Sequence, residues 1–327
     1  MIHFFKLIRP LNLAIIALTM YSMRFFYYQL AYLKPTVGHD VWHERIDFFL
    51  LVLSTVLIAA AGNIINDYFD VKADRINRPD RLIIGKHIKS GWAIMSHWLL
   101  NGIAFSISIY LSFRYNTFWY VFVHLISINT LWFYSIWLKR KMLIGNIFIA
   151  LLTAMVPILC GIHFYLTGTL DRSYFDQFTN QDSIYFSNWI YFMAEDGRFI
   201  IAMSIFAFIL NVSREIIKDI QDIEGDQLIH AKTLPMVVGN KKSGYITSFL
   251  LLTFPSLSLV LYFSSVPFSM YDFFFFLPLL FAILFSIMIS IFLLGKHEIK
   301  IFRLFDRSLK LAMLFGVIIP YYWYFFN

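Results

Sequence analysis

Long apolar runs recur along the whole chain, and they restrict its possible folds more than any other feature. A helix needs about 20 residues to cross a bilayer, and runs of this kind lie at 11–33, 47–66, 91–113, 117–138, 143–168, 199–218, 244–264, 269–295 and 306–326. Within lipid, a helix satisfies its own backbone hydrogen bonds. The sequence therefore predicts an all-α polytopic membrane protein with nine transmembrane helices in one domain, residues 1–327.

Charged residues are sparse and are concentrated in the connections between these runs. The formal net charge is +7, but the basic residues lie in short segments beside apolar runs, a pattern typical of membrane topology, and no nucleic-acid partner is expected. Most Lys and Arg lie on the side of the N-terminus. The N-terminus and the long connections at 67–90 and 219–243 are therefore predicted to be cytoplasmic, in a multi-pass protein of the cell (inner) membrane. Arg24 lies inside the first run, where it needs a partner or a path to the interface.

The first long connection opens with a row of oxygen-bearing side chains. Asn66, Asp70 and Asp74 are spaced i, i+4, i+8, so a continuing helix places them on one face. Such groups repel one another unless a cation lies between them, and oxygen ligands suit Mg2+. Because the residue before a proline avoids helical angles, the helix is expected to end near Arg78, leaving Arg78 and Arg81 to contact an anionic ligand. The alternative is a solvated helix end whose acids balance neighbouring basic residues.

The second long connection carries a similar row at the same predicted membrane face. Asp219, Asp222 and Asp226 share a helical stripe, with Glu215 one turn earlier. Two acidic rows on separate helices allow metal ions to bridge them through a diphosphate, an arrangement that Mg2+ favours. The alternative is a set of pairs within one helix, such as Lys218 with Asp222, that solvate a helix end.

Together the two rows resemble the motifs of the UbiA superfamily of intramembrane prenyltransferases, and the resemblance covers nearly the whole chain. The first is similar to NDxxDxxxD followed by Asn-Arg-Pro, and the second to KDxxDxxGD followed by Thr-Leu-Pro. The matching residues are Asn66, Asp67, Asp70, Asp74, Asn77, Arg78 and Pro79, then Lys218, Asp219, Asp222, Gly225, Asp226, Thr233, Leu234 and Pro235, with Arg9-Pro10, Tyr134, Lys139 and Gly145-Asn146 elsewhere. Within the superfamily, the sequence around Lys218 and Lys139 is most similar to that of archaeal-type digeranylgeranylglyceryl phosphate synthases. One departure is His230, which occupies a position where a Gly is common.

The resemblance implies Mg2+-dependent transfer of a prenyl group, expected to be geranylgeranyl, around a central cavity. It implies that a prenyl diphosphate donor, a lipid or aromatic acceptor and membrane lipids are partners. The implied metal ligands are Asn66, Asp70, Asp74, Asp222 and Asp226, and the implied diphosphate contacts are Arg78, Arg81, Lys139 and Lys218. Arg9 is expected to contact an acceptor anion or to anchor the topology, Tyr134 to face the reacting carbon or to pack, and Asp67 or Asp219 to orient ligands or accept a proton.

Two alternatives concern the reaction itself. A prenylglyceryl phosphate is the acceptor that the similarity to the archaeal-type enzymes implies, and an aromatic quinone precursor is the other candidate. A transporter is the candidate from a different class, but its acids are expected near the bilayer midplane, whereas these lie at the ends of spans.

Overall fold

The computed structural model describes residues 2–31, 33, 41–77, 79, 82–170, 190, 192–228, 230–263, 276–294 and 299–326. All regular elements among them are helical, and two isolated backbone bridges are the only strand-like pairing in this part of the chain. The helices are α1 Ile2–Ile8, α2 Pro10–Phe25, α3 Val41–Asn77, α4 Ser90–Arg114, α5 Trp119–Ile136, α6 Ile144–Leu166, α7 Arg198–Gln221, α8 Ile223–Leu228, α9 Leu234–Val238, α10 Asn240–Phe263, α11 Leu277–Leu294 and α12 Ile299–Phe326. A π-helical turn, Phe26–Leu30, extends α2.

Each predicted apolar run overlaps a long helix of this set, and residues 269–275 of the run at 269–295 lie outside the described part of the chain. In the described part of the chain, α3, α4, α5, α6, α7 and α11 are long and apolar enough to cross a membrane. The pair α1 and α2, bent by 53°, raises the number of candidate spans to seven if the pair counts as one broken span. The helical class is confirmed, whereas the nine spans stay a prediction because α10 and α12 are outside that count.

The helices pack so that α2, α3, α6, α7 and α12 surround the interior. Helix α2 contacts α3, α6 and α12, while α7 contacts α6 and α12. Helices α4 and α5 cover α3 on one side, and α10 and α11 cover α7 and α12 on the other. Large apolar side chains such as Phe113 and Phe249 point outward, as expected of a surface in contact with lipid.

A buried polar network closes the end of the bundle opposite Asp70. Glu44, at the start of α3, is only 1% exposed, and its Oε2 lies 2.5 Å from Nη2 of Arg24. Tyr28 donates a hydrogen bond to Glu44 Oε1 at 2.9 Å, and His163 Nε2 lies 3.5 Å from the same oxygen. Arg24 thus has the partner that its position inside an apolar run requires.

Candidate active site

The first acidic row lies on one continuous helix, as its spacing predicts. Helix α3 continues through Asn77, so Asn66, Asp70 and Asp74 follow one another by single turns. Lys139 donates a hydrogen bond to Asp70 Oδ1, and its Nζ lies 3.5 Å from Asn66 Oδ1. A positive ammonium group therefore stands between two of the predicted metal ligands.

A tight approach of the chain to itself positions Lys139. The residue belongs to a short 3₁₀ turn, Leu138–Arg140, between α5 and α6. Gly145 lies in the first turn of α6 directly against it, and a Cβ at Gly145 would stand 2.8 Å from Leu138 O and 2.8 Å from Lys139 Cα. Only glycine lets α6 begin this close to the turn.

The second acidic row is interrupted at Asp222, where the sequence predicts one uninterrupted stripe. Helix α7 ends at Gln221, Asp222 has φ −103° and ψ 10°, and α8 follows. Asp222 N–H still donates to Lys218 O at 3.0 Å, and Asp226 N–H donates to Asp222 O at 3.0 Å. The interruption is a kink that keeps Asp222 and Asp226 about one turn apart.

The two rows meet where α8 packs against the end of α3. Burial, together with the neighbouring carboxylates of Asp222 and Asp70, raises the pKa of Asp226 to about 7, while Lys139 acts in the opposite direction. Asp70 belongs to the first row and Asp222 to the second, so carboxylates from both rows act on one group. Like charges held close together favour either a proton or a cation between them.

The other predicted residues are found in specific pairs. Arg9 has a left-handed backbone, φ 57°, at the bend between α1 and α2, and its Nη2 lies 2.5 Å from Asp67 Oδ1. Asn146 donates to Asp219 Oδ2 at 2.8 Å, and Lys218 donates to Glu215 Oε1 at 2.6 Å.

Two predicted residues, Arg78 and Arg81, lie outside the described residues. His230 has a φ of 52°, in the left-handed region that glycine adopts most easily, which accounts for the glycine that is common at this position but not for the histidine.

A cavity of about 280 Å³, which we name the polar cavity for the charged side chains in its otherwise apolar lining, opens beside the rows. Arg9, Asn66, Tyr134 and Lys218 are among its lining residues. An apolar cavity of about 130 Å³ adjoins it, and the two share lining residues on α2, α6, α7 and α12. The arrangement suits a ligand with an anionic head and a long apolar chain.

The side chains of the two rows could bind Mg2+. They offer carboxylate and amide oxygens, which Mg2+ prefers as ligands, and Mg2+ takes few protein ligands when phosphate oxygens complete its coordination. Among the described residues, no three His, Cys, Asp or Glu side chains are already grouped as a metal site.

Several residues of the site were not predicted as functional from the sequence. Asn146 and Arg214 lie inside or beside the recognised motifs, which was a usable signal. Asp306 and Lys310 on α12 carry a different sequence signal. They are opposite charges at i, i+4 in an apolar run, where charged side chains are costly and often functional. Glu215 lies on the predicted acidic stripe, but its spacing alone indicates no role.

Comparisons with known proteins all point to one family. Residues 12–316 match the UbiA prenyltransferase family. Digeranylgeranylglyceryl phosphate synthase of Pyrococcus horikoshii is 34% identical over 224 residues, 67% of this chain and 68% of the relative. The enzyme of that name from Methanothermobacter thermautotrophicus is 34% identical over 229 residues, 68% of this chain and 69% of the relative.

Solved structures show the same fold at lower identity. A structure of digeranylgeranylglyceryl phosphate synthase is 21% identical with a TM-score of 0.60, and the match covers 97% of both chains. A UbiA homolog from Archaeoglobus fulgidus bound to GPP and Mg2+ is 15% identical with a TM-score of 0.52, and the match covers 98% of this chain and 99% of the other.

Proposed function

The chain belongs to the UbiA prenyltransferase family, and we propose that it transfers a geranylgeranyl group from its diphosphate to a prenylglyceryl phosphate in the membrane. The main support for the proposal is that the two carboxylate rows approach each other at Asp70 and Asp226. They lie beside the polar cavity, which continues into the apolar cavity. The relatives named above support the choice of acceptor.

The residues proposed to hold Mg2+ are Asn66, Asp70, Asp74, Asp222 and Asp226. When bound, the ion offsets the charge of the diphosphate and makes it a better leaving group. Lys139 and Lys218 add positive charge from the α5–α6 turn and from α7. Arg78 and Arg81 are proposed to do the same.

In the reaction, the bond between the prenyl carbon and the diphosphate oxygen breaks, and an ether bond to the acceptor hydroxyl forms. The apolar part of the cavity excludes water that would otherwise consume the allylic cation, and the ring of Tyr134 offers an electron-rich face to it. The acceptor hydroxyl must also lose a proton. Of the two candidate bases, Asp219 is favoured over Asp67, because Asp219 is paired with a neutral amide whereas Asp67 is already matched by Arg9.

The proposal also concerns the membrane. We propose that α10 and α12 cross the membrane in addition to the seven candidate spans, which gives nine transmembrane spans. Because the basic residues lie mostly on the side of the two rows, this face is assigned to the cytoplasm of the cell (inner) membrane.

A direct comparison of acceptors tests the proposal. Purified protein receives labelled geranylgeranyl diphosphate and Mg2+ with either geranylgeranylglyceryl phosphate or an aromatic quinone precursor. We expect a labelled ether lipid with the first and little product with the second. Product with only the aromatic compound would show that the acceptor is an aromatic quinone precursor. The absence of any covalent product would favour a transporter.

Substituting Gly145 is expected to lower the rate of prenyl transfer by up to about 100-fold, the loss typical of a 1 Å displacement in an active site. In Gly145→Ala the new methyl group meets backbone atoms of Leu138 and Lys139 at 2.8 Å, so the turn that carries Lys139 must move. The initial rate with saturating donor and acceptor is the measurement. Gly102→Ala is the control, since a Cβ at Gly102 on α4 meets nothing within 4 Å. Equal activity of the two variants would show that the position of the turn is unimportant.

A further inference from the structure

A second group of charged residues lies where α7 meets α12. Arg214 Nε is 2.8 Å from Asp306 Oδ1, and Lys310 Nζ is 3.9 Å from Asp306 Oδ2. Arg214 and Lys310 both line the polar cavity. Of the residues proposed to hold Mg2+, Asn66 also lines it, whereas Asp70, Asp74, Asp222 and Asp226 do not belong to its lining. The pair Arg214 and Lys310 therefore faces the cavity on a different side from the carboxylates of the two rows.

The basic side chains of this group share carboxylates. Arg214 and Lys310 both lie near Asp306, and Arg214 and Lys218 both lie near Glu215. The side chain of Arg214 is 11% exposed and that of Glu215 is 9% exposed, so solvent screens them poorly. Basic side chains that line a poorly solvated cavity can form charge-assisted hydrogen bonds to the negative group of a ligand.

The position of this group shows what kind of anion fits. Asn211 lies one turn from Arg214 on α7, and Met313 lies one turn from Lys310 on α12. Asn211 and Met313 line both the polar cavity and the apolar cavity. An anionic head at Arg214 and Lys310 thus stands at the mouth of the apolar cavity, where an attached hydrocarbon chain can enter.

We propose that Arg214 and Lys310 bind the phosphate of the acceptor, while Lys139 and the carboxylate rows bind the diphosphate of the donor. This inference rests on the proposed function and deepens it. Two anionic lipid substrates that are held at once need separate sites for their heads, because their charges repel. An acceptor without a phosphate cannot form ion pairs with Arg214 and Lys310. The two residues therefore favour binding of a phosphorylated acceptor.

Lys310→Met tests the proposal, because methionine keeps the apolar stem and removes the charge. The probe is labelled geranylgeranylglyceryl phosphate, and its equilibrium binding is measured with EDTA and without donor, so that neither the metal nor turnover contributes. We expect Kd to rise about tenfold or more, the loss of one hydrogen bond to a charged group. Lys310→Arg should restore binding. Arg307→Met is the matched control, since Arg307 is an exposed basic residue on the same helix outside the cavity.

Steady-state kinetics supply the second readout. For Lys310→Met we expect KM for the acceptor to rise about tenfold, with KM for the donor and kcat changed less than about twofold. Unchanged acceptor affinity, or a rise in KM for the donor alone, would overturn the inference. If the wild type transfers the prenyl group to the glyceryl phosphate and Lys310→Met binds it normally, only this inference fails. If the wild type neither binds nor prenylates it, the inference and the proposed function fail together.

Discussion

Replacing Asp70 or Asp222 with asparagine is expected to lower kcat for prenyl transfer by about 10²–10³-fold, the usual loss when one group that stabilises charge in a transition state is removed. Each substitution keeps the shape of the side chain and removes one charge from a row. Because the two rows are proposed to hold one metal–diphosphate unit, the double variant should lose little more than each single variant. Diphosphate release at saturating Mg2+ is the measurement.

Asp196→Asn is the matched control for this prediction. Asp196 is exposed at the opposite end of α7, and asparagine tolerates its left-handed φ of 50°. Its activity should equal that of the wild type. Full activity of the Asp70 and Asp222 variants would remove the basis for the site.

Replacing Glu44 with alanine is expected to lower the free energy of unfolding by about 3–5 kcal/mol, the range for a buried ion pair that loses one partner. Arg24, whose side chain is 19% exposed, would keep its charge without the carboxylate, and the Tyr28 hydroxyl would lose its acceptor. Equilibrium unfolding in a fixed detergent mixture measures the change. The catalytic rate of the remaining folded protein should be unaffected, because the network lies at the far end of the bundle.

The control for this prediction is an exposed ion pair at the same end. Glu195, 42% exposed, lies 3.0 Å from Arg198, and Glu195→Ala should cost less than about 1 kcal/mol. A Glu44→Ala loss no larger than that of Glu195→Ala would show that the network does not stabilise the bundle.

The sequence predicts the helices and the first acidic row because both depend on local periodicity. Apolar run length fixes where helices form, and the 3.6-residue repeat places Asn66, Asp70 and Asp74 on one face. The kink at Asp222 was not predicted, because residues on both sides of it are compatible with a helix.

Local sequence patterns do not predict contacts between residues that are distant in the chain. Lys139 and Asp70 are 69 positions apart, and Asn146 and Asp219 are 73 apart, so only the packing of α3, α6 and α7 brings them together. Asp306 lies at the start of an apolar run, and nothing in its local sequence shows that it faces Arg214. The family resemblance identified Lys139 but not its partner.

Binding of Mn2+, which takes oxygen ligands as Mg2+ does, tests most directly whether the two rows act as one site. Electron paramagnetic resonance can count the bound ions in the presence of inorganic diphosphate, with no acceptor and no turnover. The account predicts tight Mn2+ binding by the wild type that depends on diphosphate and is lost in both Asp70→Asn and Asp222→Asn. Undiminished Mn2+ binding in the two variants would contradict it.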